Sequence, residues 1–89
     1  MKKQIWKFGI IPSQKTIEMP KGAKVLSVQM QNDIPCIWVL VDPKADKTKR
    51  TFEIFGTGHD IECDGISREF IGTFQMHSGS LVFHLFERI

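Results

Sequence analysis

The C-terminal stretch, residues 70–89, constrains the fold most, because apolar and polar residues alternate there on both sides of a turn sequence. Ser78-Gly79 predicts a two-residue hairpin turn, since glycine tolerates positive φ angles. Side chains alternate between the two faces of a strand, so the turn fixes which residues lie opposite each other. One face then collects the pairs Met76–Leu81, Phe74–Phe83 and Gly72–Leu85, with Phe70 at its far end. That apolar face is predicted to be core, while Ile71 and Phe86 meet on the outer face.

Residues 24–41 predict a second hairpin, with Asn32-Asp33 as the turn, because both residue types tolerate left-handed backbone conformations. In this register Trp38 lies opposite Ser27, a small partner that leaves room beside the indole. The apolar face of the hairpin is predicted to contain the pairs Leu26–Val39, Val28–Ile37 and Met30–Pro35. A second apolar face is therefore predicted to turn inward.

The rest of the chain adds short strand patterns at residues 4–10, 15–19 and 50–57. The charged residues 42–49 predict a solvated loop, and residues 61–67 predict an irregular connection. No window shows the apolar spacing of a helix. The pattern predicts an all-β fold, a small antiparallel sandwich or partly open barrel of about seven short strands, with residues 1–89 as a single β-domain.

The composition of the chain excludes several classes of partner and of site. The chain of 89 residues has a formal net charge of +2, too small by itself to indicate nucleic acid or an anionic membrane as a partner. Cys36 and Cys63 are too few for a disulfide framework or a zinc site, and we expect both to be reduced in the cytoplasm. No apolar run is long enough to cross a membrane, and residues 1–8 lack the apolar part of a signal peptide. We expect a cytoplasmic protein without cofactor, metal, membrane or nucleic-acid partner.

Gly56-Thr57-Gly58-His59 is the most suggestive loop, because closely spaced glycines let backbone N–H groups approach an anion. The loop lacks the Lys-Ser/Thr of a phosphate-binding P-loop, and no helical pattern follows it. The alternative is a structural corner that ends a strand and needs glycines. His59 and Asp60 also raise the alternative of a small hydrolase, although neighbours in sequence rarely form a working dyad.

Aromatic residues exceed what the predicted core face requires. The surplus rings are Trp6, Trp38, Phe55 and Phe86. If these rings cluster, they form a ligand or self-association surface; otherwise they form a second small core on the reverse of the sheet. His84 is interpreted as a hydrogen-bonding group in a pocket or interface, or as a half-exposed sheet residue. His77 lies about 13 Å away along the same hairpin, too far for the two to share a zinc ion.

Several short stretches form a set that covers nearly the whole chain. They are Ile-Trp-Lys-Phe at 5–8, Ile-Glu-Met-Pro-Lys-Gly-Ala at 17–23, Pro-Cys-Ile-Trp at 35–38, Leu-Val-Asp-Pro at 40–43, Gly-Thr-Gly-His at 56–59, and the C-terminal hairpin sequences at 71–77 and 81–87. As a set they resemble a family of uncharacterised small bacteriophage and prophage proteins. The resemblance assigns no residue a role. It implies an accessory phage product inside a bacterial cell, and such products are commonly binders or inhibitors of host factors.

These observations together predict a non-enzymatic, phage-type accessory binding protein that forms a homo-oligomer. It would act in counter-defence, by sequestering a small anionic, nucleotide-like ligand or by inhibiting a host defence protein. The predicted ligand contacts are Gly56, Thr57, Gly58 and His59 for the anion, Trp38 or Trp6 for a stacked base, and His84 as a polar contact. The alternatives are a structural or protein-interaction component of a phage particle and a small hydrolase.

Overall fold

A computed structural model describes residues 2–10, 16–62 and 64–89, and within these ranges the chain forms seven strands and no helix. The strands are β1 (Gln4–Gly9), β2 (Thr16–Pro20), β3 (Lys24–Gln31), β4 (Ile34–Val41), β5 (Lys47–Gly56), β6 (Arg68–Met76) and β7 (Leu81–Arg88). Sheet 1 has the order β1-β4-β3 and sheet 2 the order β2-β5-β7-β6, and all pairs are antiparallel. The sheets form an open sandwich and not a closed barrel, which confirms the predicted all-β class.

The core lies between the inner faces of the two sheets. Its most deeply buried side chains include Met19, Ile37, Val39, Val41, Phe52 and Leu85. The sheets approach closely where β6 crosses β3: a β-carbon added at Gly72 would lie 2.7 Å from Cγ1 of Val28. Glycine at this position therefore sets the distance between the sheets.

Both hairpin turns keep the predicted register. Asn32 and Asp33 have φ angles of 51° and 64°, the left-handed pair that a two-residue hairpin turn requires. The second turn takes four residues, 77–80, instead of the predicted two, and positive φ angles extend from His77 to Gly79. Since four and two are both even, the pairs Met76–Leu81, Phe74–Phe83 and Gly72–Leu85 form as predicted.

A β-bulge between Val25 and Ser27 corrects the predicted pairing of Leu26 with Val39. Trp38 does lie opposite Ser27, but Val25 is the residue opposite Val39, and Leu26 is 46% exposed. A bulge inserts one extra residue into one strand, so every residue beyond it changes face. Val25, predicted on the reverse face, therefore packs against the core.

A second bulge between Phe70 and Gly72 corrects the predicted core position of Phe70 in the same way. Phe70 pairs with Phe86 on the outer face of sheet 2 and is 56% exposed, while Ile71 packs against the core. The prediction that Ile71 meets Phe86 on the outer face is also wrong. The bulge moves a large aromatic ring from the interior to the surface.

Strand β5 begins at Lys47, so the last three residues of the predicted loop 42–49 are strand. They pair with β2, and Glu18 lies opposite Lys49. The cross-strand charge pair and the inward Ile17 and Met19 make a charged sequence compatible with a strand. Lys15, predicted to begin the second strand, and Cys63 lie outside the described residues.

A buried ion pair ties sheet 2 to the start of β3. The Arg50 guanidinium donates to both carboxylate oxygens of Glu87, which is only 7% exposed, and to the carbonyl oxygen of Ala23. The hydrogen bond to Glu87 raises the pKa of Arg50, so the guanidinium stays charged in its partly buried position. Glu69 lies opposite Glu87 on β6. Arg50 is thus the cation that compensates a buried carboxylate.

Candidate functional site

The outer face of sheet 2 is the strongest candidate for a functional site. Three strands contribute to it, and their alternation places aromatic, hydroxyl and imidazole groups side by side. We name this surface the Phe70 face and define it by Phe55 and Thr57 of β5 and its corner, His84 and Phe86 of β7, and Phe70 and Thr73 of β6. It lies on the side of sheet 2 opposite the core.

Three phenylalanine rings form a row across the strands of the Phe70 face. The ring centroids of Phe55 and Phe86 are 5.7 Å apart, and those of Phe86 and Phe70 are 5.4 Å apart, both in edge-to-face arrangements. Edge-to-face contacts are favourable for aromatic rings and hold them at fixed angles. The row ends in the exposed ring of Phe70, which is supported on one side and free on the other.

Two arginines and one glutamate border this aromatic row. Arg68 donates to Glu53 at 2.7 Å and to Asp64 at 3.1 Å, and its guanidinium lies 5.7 Å from the ring centroid of Phe55. Arg88 donates to the second oxygen of Glu53 at 3.1 Å. These hydrogen bonds, first that of Arg88 and then that of Arg68, lower the pKa of Glu53 below its ordinary value of 4.5. The network fixes the arginines beside the rings.

The depressed pKa of Glu53 leads to a pH prediction. A carboxylate whose pKa is lowered by folding stabilises the protein above its unfolded-state pKa, and this contribution is lost as the pH falls through the folded-state pKa. The difference in unfolding free energy between the native protein and Glu53→Gln is therefore expected to have its largest value at about pH 6 and to decrease below about pH 4.5. Urea denaturation at a series of pH values measures it, and a difference that stays constant down to about pH 3 would contradict the account.

His84 joins all three strands of the Phe70 face through two hydroxyl groups. Its Nε2 lies 2.7 Å from the Thr57 hydroxyl, and its Nδ1 lies 2.9 Å from the Thr73 hydroxyl. In either tautomer of a neutral imidazole, the protonated ring nitrogen donates to one threonine hydroxyl and the other ring nitrogen accepts from the second hydroxyl, so both contacts can form. The second partner is a hydroxyl and not a carboxylate, so the pair lacks the anionic group that stabilises imidazolium in Ser-His-Asp sites. The arrangement suits binding better than nucleophilic catalysis.

Residues 56–59, the glycine corner, form a tight turn in which His59 packs against Gly56. The His59 ring covers Gly56, where an added β-carbon would lie 2.7 Å from the imidazole. The N–H of Thr57 donates to Val82 at 3.2 Å, and the N–H of His59 donates to Gly56 at 3.0 Å. These two donors are satisfied within the chain, whereas the Thr57 hydroxyl and the His59 ring lie at the surface. The corner therefore offers side chains, more than backbone N–H groups, to a ligand.

The structure brings part of the predicted site together and separates the rest. Thr57 and His84 are in contact, and Gly56, Gly58 and His59 form the adjoining corner. Trp6 pairs with Val39 on the inner face of sheet 1, where it lies near Phe8. The neighbouring pair, Lys7 with Trp38, lies on the outer face of sheet 1. The indoles thus occupy opposite faces of sheet 1, and the four surplus aromatic rings do not form one cluster.

Four members of the Phe70 face were not among the predicted ligand contacts: Phe55 and Phe86, named only as surplus rings, and Phe70 and Thr73. Phe70 and Ile71 are both apolar, so the alternation rule cannot decide which of them faces outward. Gly72, directly after them, is the available signal, because glycine inside a strand often marks a bulge. Thr73 could have been found from its position opposite His84 in the predicted register.

An open cleft of about 300 Å³ lies between the sheets near both bulges. Its lining includes Lys24, Arg50, Glu69, Phe70 and Glu87. Arg50 and Glu87 are already paired with each other, so the most buried charges of the cleft are satisfied within the chain. Among the described residues, no three His, Cys, Asp or Glu side chains are grouped so that they could hold a metal ion.

Comparison with known proteins identifies a family. The family model described as "Domain of unknown function (DUF7352)" matches residues 1–89. Neither the curated proteins nor the solved structures gave a match. Within residues 2–10, 16–62 and 64–89, no helix is long and apolar enough to cross a membrane.

Proposed function

The chain belongs to the DUF7352 family, and we propose that this member is a non-enzymatic binding protein whose ligand is small, partly planar and anionic, as a nucleotide is. The ligand binds on the Phe70 face. The observation that carries the proposal is the exposed Phe70 ring. A bulge places this ring outside the core, Phe86 packs against it, and Phe55 packs against Phe86. An exposed aromatic ring on a rigid sheet is a platform on which a nucleobase stacks.

Polar groups lie where the remainder of such a ligand would reach. His84 and Phe86 are two residues apart on β7 and point to the same side, which places them about 7 Å apart. Phe70 lies beside Phe86 on the neighbouring strand, so the ribose of a base stacked on Phe70 would extend along β7 and leave its phosphate near His84, Thr57 and the His59 corner. Both ring nitrogens of His84 are bonded to threonine hydroxyls, so the donors to phosphate oxygens are the hydroxyl that accepts from His84 and the His59 imidazole.

The biological setting is part of the proposal. We propose that the protein is a phage or prophage product in the cytoplasm of a bacterial host, where it serves in counter-defence by sequestering a nucleotide-like signal. This rests on the resemblance of the seven sequence stretches to small phage proteins. A second candidate function, inhibition of a host protein or a structural role in a phage particle, is favoured by the exposed aliphatic side chains of sheet 1.

The experiment is a thermal-shift and calorimetric titration with a panel of cyclic and linear nucleotides. We expect at least one nucleotide to raise the melting temperature. Phe70→Ala is expected to weaken its binding by about 1–3 kcal/mol, the range for loss of one base–aromatic stack. Thr57→Val removes a hydroxyl without changing the size of the side chain and is expected to cost about 0.5–1.5 kcal/mol.

Ile5→Ala is the matched control, since Ile5 is 59% exposed, close to the 56% of Phe70, but lies on sheet 1. It is expected to leave nucleotide binding unchanged. If no nucleotide in the panel shifts the melting temperature, or if Phe70→Ala binds as the native protein does, the proposal is wrong. The homo-oligomer stays a prediction, and native mass spectrometry tests it by reporting the subunit count together with any co-purifying ligand.

A further inference from the structure

The outer face of sheet 1 carries an apolar surface on the other side of the sandwich from the Phe70 face. We name it the Trp38 face and define it by Ile5, Leu26, Ile34, Trp38 and Leu40. Ile5, Leu26 and Ile34 are 59%, 46% and 44% exposed. Several exposed aliphatic side chains on one sheet face of a small domain mark an interaction surface, because exposing them to water is unfavourable.

The charged side chains that the strands contribute to this face have one sign. Lys7 lies opposite Trp38 and Lys24 opposite Leu40, where Lys24 also reaches the cleft, and the strands β1, β3 and β4 contain no Asp or Glu. The Lys7 ammonium donates to the Gln31 side chain across the sheet, which holds it over the face. The surface thus presents an apolar centre bordered by cations.

The dimensions of the face suit a single helix. Three strands spaced about 4.8 Å apart give a width of about 14 Å, and strands of eight residues, such as β3 and β4, are about 26 Å long. A helix is about 10–12 Å in diameter and rises about 1.5 Å per residue, so about 17 residues cover the length of the sheet. A helix laid on the open face of a sheet is a standard way of completing two packed layers.

We infer that the Trp38 face binds an amphipathic helix of a partner protein, with an apolar stripe against Trp38 and acidic residues against Lys7 and Lys24. Charge complementarity selects this occupant over a second copy of the chain. A two-fold pairing of this face with itself would bring lysines together without any strand carboxylate to compensate them. The exposed side chains are aliphatic, which favours a protein partner over stacked nucleic-acid bases.

The test uses two synthetic helical peptides of about 18 residues with the same leucine stripe, one flanked by Glu and the other by Lys. Titration into the ¹⁵N-labelled full chain is expected to shift the amide signals of β1, β3 and β4 with the Glu peptide. The Lys peptide is expected to bind about tenfold more weakly, because ion pairs are replaced by like-charge contacts. Lys7→Glu, an exposed change opposite Trp38 and away from the cleft that Lys24 lines, is expected to reverse or abolish this preference. Phe70→Ala serves as the control and is expected to change neither affinity.

Three results would overturn the inference. The first is equal binding of both peptides, and the second is amide shifts confined to sheet 2. The third is a dimer in sedimentation that Ile34→Glu dissociates, which would make a second copy the occupant. This test does not measure nucleotide binding. The proposal for the Trp38 face can therefore be wrong while the proposal for the Phe70 face is right, and the reverse.

Discussion

Arg50→Met is expected to lower the free energy of unfolding by about 3 kcal/mol, the lower end of the range for removing one partner of a buried ion pair. The lower end applies because the Arg50 side chain is 21% exposed and its site admits some water. The substitution leaves Glu87 buried without its bidentate partner and opposite Glu69. Urea denaturation of the native and variant proteins measures the difference.

The double variant Arg50→Met/Glu87→Leu is the control for this prediction. Replacing both members of a buried ion pair by apolar side chains is often nearly neutral, so we expect the double variant to regain much of the lost stability. Recovery stays incomplete because the Ala23 carbonyl also loses its donor. A single variant as stable as the native protein, or a double variant less stable than the single one, would show that Arg50 does not compensate Glu87.

Gly72→Ala is expected to destabilise the sandwich by about 1–3 kcal/mol, the usual cost of overpacking a core. The added methyl would lie 2.7 Å from Cγ1 of Val28, closer than real carbon atoms approach, and a valine on a paired strand has little freedom to move. The sheets must separate locally to accept it. Thermal or urea denaturation gives the change in unfolding free energy.

Gly9→Ala is the matched control, because Gly9 also lies in a strand but its added β-carbon would meet Ile34 at an ordinary 3.6 Å. It is expected to be neutral or slightly stabilising. Val28→Ala opens space at the crossing, so Gly72→Ala should cost about 1 kcal/mol less in that background. Additive effects of the two substitutions would contradict the close approach of β3 and β6.

The strands and their class follow from local rules in this chain. Turn residues such as Asn32-Asp33, and the period of two in residues 70–89, determine where strands reverse and which residues pair. The bulges at Leu26 and Ile71 do not follow from these rules, because each lies in a run of neighbouring apolar residues where either register buries a large side chain. Both bulged strands, β3 and β6, pack against each other across the sandwich, and a contact between residues so far apart in the sequence is not visible to local rules.

The candidate site is predictable only in part for the same reason. Thr57 and His84 come together through the β5–β7 and β6–β7 pairings, and the hairpin register alone would have added Thr73. The exposed position of Phe70 depends on the bulge between Phe70 and Gly72. The alternating pattern does not include a bulge, so it assigned the Phe70 ring to the core. Trp38, selected for its size, lies instead on the outer face of the other sheet.

The central claim is that a nucleotide-like ligand binds on the Phe70 face. Its most direct test is a ¹⁵N chemical-shift titration of the full chain with the nucleotide that gives the largest thermal shift. We predict that the shifted amides lie at Thr57, Phe70, Thr73 and His84 and that those of β1 and β4 do not move. Shifts confined to sheet 1, or none at saturating nucleotide, would contradict it.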